Sequence, residues 1–76
     1  MKRALSPEAR RREIANLERL ITEKEAELEE MRELRFEPEY YQDYQKMNDL
    51  DQDIDDIHNE LAHLEERWAS LLEEVA

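Results

Sequence analysis

The second half of the chain repeats apolar residues at alternating steps of three and four: Tyr40, Met47, Leu50, Ile54, Ile57, Leu61, Leu64, Trp68, Leu71 and Val75, with Asp43 the one break in the series. Residues spaced this way fall on one stripe of an α-helix, so the pattern predicts a heptad seam. A shorter and less pure seam runs through Ile14, Leu17, Ile21, Leu28 and Met31. In it, Lys24 occupies a position that the spacing assigns to an apolar side chain.

The ends of these helices are legible as well. In "LSPEA", Ser6 is an N-cap residue, Pro7 suits the first helical position because its missing N–H is not needed there, and Glu8 sits near the positive end of the helix dipole. In "RFEPEYY", Pro38 cannot lie inside a continuous helix and drives Glu37 out of the helical region. Helix 1 is therefore expected over about 7–35, a turn at about 36–37, and helix 2 over about 38–74. The fold class is all-α, a two-helix antiparallel coiled-coil hairpin forming a single domain over residues 1–76.

In an antiparallel pair, facing residues have numbers with a constant sum. A sum of 78 aligns the two seams: Ile14 with Leu64, Leu17 with Leu61, Ile21 with Ile57, Leu28 with Leu50 and Met31 with Met47. It also sets Arg35 against Asp43, Arg10 against Trp68 for stacking of a guanidinium on the indole, and Lys24 against Ile54 with its ammonium reaching neighbouring carboxylates. At 1.5 Å rise per residue, helix 2 would be about 55 Å long, making the molecule a thin monomeric rod. The longer seam of helix 2 leaves an alternative, a structural coiled coil that dimerises into a four-helix bundle.

Composition narrows the functions open to such a rod. Among 76 residues, 43% are charged, and glycine and cysteine are absent. Without glycine there is no phosphate-cradling loop, and without cysteine no disulfide or thiolate metal site. No apolar run approaches the roughly 20 residues of a membrane span, and "MKRALSPEARRR" lacks the apolar stretch of a signal peptide. The net charge of −11 is uneven. Residues 1–12 carry five basic side chains against one acid, whereas residues 35–76 carry thirteen acids against three bases. Most of the surface thus repels phosphate, and the candidate nucleic-acid contacts are confined to Lys2, Arg3, Arg10, Arg11 and Arg12. The candidate partner contacts are the aromatic residues Tyr40, Tyr41 and Trp68.

Two metal-like patterns fail on physical grounds. "DLDQDIDDIHNE" places Asp49, Asp51, Asp53, Asp55 and Glu60 in the order of an EF-hand loop, but Ile54 stands where that loop needs glycine to bend around the ion. Its apolar residues also continue the helix 2 seam without interruption. His58 and His63 are five residues apart, about 140° around a helix, rather than the four that put two ligands on one face. No catalytic, cofactor or metal residues are expected in this chain.

Three elements carry a resemblance spanning roughly residues 5–74: "LSPEARRREIANLERLI" before and into the first seam, "EPEYYQDYQKMNDL" across the turn, and "LEERWASLLEE" near the end. Their order and spacing resemble the C-terminal coiled-coil domain of the ABC-F proteins, tandem ATPases of the ABC class without transmembrane segments. The resemblance implies a non-catalytic hairpin appended to cytoplasmic ATPase domains, with ATP and Mg handled by the parent protein. It also implies ribosome, nucleic-acid or protein contacts made during translation. In one branch of that family the domain binds DNA, which here would fall to the basic N-terminal end.

Overall fold

The computed structural model describes residues 6–75. Helix α1 spans Pro7–Leu34, a one-turn helix α2 spans Pro38–Tyr41, and α3 spans Tyr44–Val75. The long helices pack against each other as an antiparallel hairpin, a rod of 52 × 22 × 15 Å. All-α architecture and the hairpin topology agree with the sequence expectation.

Helix α1 starts as its sequence dictates. Ser6 is extended, its Oγ accepts from the Ala9 N–H at 3.1 Å, and Pro7 occupies the first turn with Glu8. The cap satisfies one of the N–H groups that a helix start leaves without an intrahelical acceptor. At the other end Phe36 and Glu37 donate to the carbonyls of Glu33 and Leu34, so the last turn tightens to three-residue closure. Without glycine, and with no positive φ among the described residues, this is how the helix ends. Pro38 then holds Glu37 in extended backbone, from which α2 begins.

Helix 2, expected to run unbroken from Pro38, is two elements. The break falls at Gln42–Asp43, and Asp43 is the reason: its Oδ1 accepts from the Lys46 N–H at 3.1 Å and its carbonyl accepts from Met47. The residue that interrupts the apolar series is thus the N-cap of α3. Packed helix axes lie about 8–10 Å apart, and α2, packed against α3, forms part of the connection between the long helices.

The longer connection slides the pairing by about one heptad. Cross-helix side-chain contacts join Glu13 with Arg67, Lys24 with Glu60, Trp68 with Glu18, Arg35 with Asp51 and Arg32 with His58. Their numbers sum to 80, 84, 86, 86 and 90, centred on about 85 rather than 78. Because the seam repeats every seven residues, a seven-residue slip leaves every apolar stripe facing the core. The point of reversal moves from Glu39 to the break before α3.

The seam itself is as expected. Among the described residues, Leu17, Leu28, Leu50, Ile54, Ile57, Leu61 and Leu71 are buried, and Ile21, Met31, Leu34, Tyr40 and Met47 pack against the central cluster of Leu28, Leu50, Ile54, Ile57 and Leu61. Leu34 joins this cluster from outside the predicted seam, beside the turn.

Candidate functional site

At the open end of the rod, α1 presents the basic run. Arg11 donates from Nε to the Pro7 carbonyl at 3.4 Å, Arg12 is exposed and Arg10 is half-buried. Lys2 and Arg3 lie outside the described residues. Arg12 shares a shallow groove with Ala9, Glu13, Asn16 and Arg67, the last from α3. Arg67, which the sequence reading did not single out, holds Glu13 at 3.0 Å and brings a second guanidinium to this groove. Its position becomes legible only once the slipped pairing is known.

Trp68 is half-buried, and its indole N–H donates to Glu18 Oε2 at 3.1 Å. Glu18 therefore engages the polar edge of the ring. Glu18, Glu25 and Glu65 line a groove together with Ile21, Thr22 and Trp68, so this flank of the hairpin attracts cations. Among the described residues, no group of three or more His, Asp or Glu side chains is placed to hold a metal ion.

The former calcium-like stretch is interior α3. Leu50, Ile54, Ile57 and Leu61 are buried, while Asp49 accepts from Gln45, Asp51 pairs with Arg35 and Glu60 takes the Lys24 ammonium at 2.7 Å. Asp51 lies on another flank of the helix from Asp49, and Glu60 lies about 16 Å further along the axis, so these carboxylates do not converge on one ion. His58 lies 3.0 Å from the Arg32 guanidinium. Arginine has no acceptor, so in a hydrogen bond between these two groups the guanidinium donates. His63 is exposed.

Lys24 sits in the seam with its side chain a third exposed and bridges Glu60 and Glu27, the latter at 3.6 Å. The hydrogen bond to Glu60 is the main cause that raises its pKa above the ordinary 10.5; burial opposes this, and the Glu27 charge adds to it. Lys46 is raised likewise, chiefly by its bond to Glu39 at 2.9 Å. Arg35, expected to meet Asp43, pairs with Asp51 instead.

The turn end differs in character. Phe36, Tyr41 and Tyr44 are 81, 56 and 85% exposed, while Tyr40 folds inward onto the core. Sequence reasoning picked out Tyr41 but missed Phe36 and Tyr44, which stand outside the heptad stripe on both sides of α2. No helix among the described residues is long and apolar enough to cross a membrane.

Neither the curated proteins nor the solved structures gave a match. The sequence profile of the ABC transporter C-terminal domain matches residues 7–73, from the first residue of α1 almost to the end of α3. With nearly the whole hairpin covered, the chain belongs to the ABC transporter C-terminal domain family.

Proposed function

We propose that this chain is the C-terminal hairpin of a cytoplasmic ABC-F ATPase, a non-catalytic module that gives its parent contacts to the ribosome, nucleic acid or protein during translation. The observation that carries the reading is the family match over residues 7–73 combined with the order of the landmarks within it. Ser6 caps α1, Pro38 opens the bridging helix and Trp68 sits half-buried in the far seam. ATP and Mg belong to the parent's ATPase domains in this reading. The hairpin supplies surface: two charged flanks and two chemically different ends.

The test compares the parent protein with and without residues 6–75 for co-sedimentation with ribosomes. Loss of association by about tenfold or more, equivalent to about 1.4 kcal/mol, is expected. Unchanged association would remove the ribosome-docking role.

A second reading, nucleic-acid binding by the basic end, draws support from Arg67 joining Arg12 around one groove. It requires salt-sensitive binding that is lost when Arg10, Arg11 and Arg12 become alanine.

A further inference from the structure

Four large apolar side chains are exposed among the described residues, and three of them, Phe36, Tyr41 and Tyr44, lie within nine residues at the turn end of the rod; Leu72 is the fourth. Elsewhere the chain sorts apolar residues into the seam, and at the turn itself Leu34 and Tyr40 do pack on the core. The exposed rings are therefore not the remainder of a poorly patterned sequence. Each is carried on backbone fixed by hydrogen bonds: Phe36 N–H to the Glu33 carbonyl, Tyr41 N–H to that of Glu37, and the Asp43 cap at the start of α3. Backbone held this way loses little freedom on meeting a partner.

Charge decides what kind of partner. Between Arg32 and Asp51 stand six carboxylates and three cations. Arg35 is engaged by Asp51 and Lys46 by Glu39, and Arg32, which lines a groove with Phe36, meets the His58 ring. Glu33 and Glu37 are exposed beside the rings. A nucleic acid could stack its bases on the aromatics, but its phosphates would meet this negative field. A second copy of the chain brings another −11. Arginine and lysine side chains fit both features, stacking on aromatic faces while pairing with carboxylates.

We propose that the turn end, through Phe36, Tyr41 and Tyr44, docks onto a basic polypeptide surface. This rests on the reading of the hairpin as a docking module and names the partner chemistry for one of its ends.

The test titrates an alternating Arg-Ala peptide into the isotope-labelled chain, with a single-stranded oligonucleotide and unlabelled chain as rival probes. The peptide is expected to shift the amides of Phe36, Glu37, Tyr41 and Tyr44 saturably. Phe36→Ala with Tyr44→Ala, both at exposed positions, should weaken it about tenfold with helix content unchanged. The proposal is overturned by equal binding to the double variant, by shifts spread along the acidic flanks of α1 and α3, by absence of peptide binding, or by oligonucleotide or a second copy taking the tip in preference. The same double variant in the parent separates the two readings. If deleting the hairpin abolishes ribosome association and the ring variant leaves it intact, the tip fails and the module stands. If deletion also changes nothing, the module reading fails.

Discussion

Lys24 interrupts an otherwise apolar stripe, and its geometry explains how the hairpin tolerates it. The aliphatic stem lies in the seam while the ammonium reaches Glu60 on the facing helix and Glu27 on its own. Since the folded-state pKa is raised above the ordinary 10.5, the stabilisation is fully present below that value and is lost as pH rises through the raised one. The stability of the chain relative to Lys24→Met, measured by thermal unfolding, should therefore be constant up to about pH 10 and fall at higher pH. A difference that stays constant across the lysine range would show that the contact contributes nothing.

At the scale of elements, the connection between helices governs the pairing. Asp43 looks like a flaw in a long seam when the sequence is read for periodicity alone, because a heptad pattern assigns each residue a face and carries no information on where a helix restarts. As an N-cap it is well placed, and Asp43→Ala should cost about 1 kcal/mol. Asp43→Leu separates the two views: it repairs the seam if helix 2 is continuous and raises the unfolding midpoint, whereas here it removes the cap and lowers it. The capping serine, both prolines and the apolar stripes were readable in the sequence because each acts locally. The slip of about one heptad was not, since a seven-residue repeat returns the same stripe at every multiple. The same slip hid Arg67 beside Glu13 and Glu18 beside Trp68. Phe36 and Tyr44 escaped notice for a different reason: a search for seam residues passes over rings that face water.

Taken whole, the molecule is a narrow rod in which the buried side chains of the described residues belong to α1 and α3. Folding therefore depends on one antiparallel interface, and in the proposed function the flanks and ends are what the hairpin offers to partners. The acidic flanks favour solubility and oppose self-association, while the turn end keeps Phe36, Tyr41 and Tyr44 in water. That arrangement suits an appended module of an ABC protein better than a dimerising core, because a four-helix bundle would need a further apolar stripe along the rod. Small-angle X-ray scattering tests the single-chain hairpin most directly, since it reports mass and shape together. The expected result is a particle of 9.3 kDa with a radius of gyration near 17.0 Å. A doubled mass in a compact four-helix particle would contradict it.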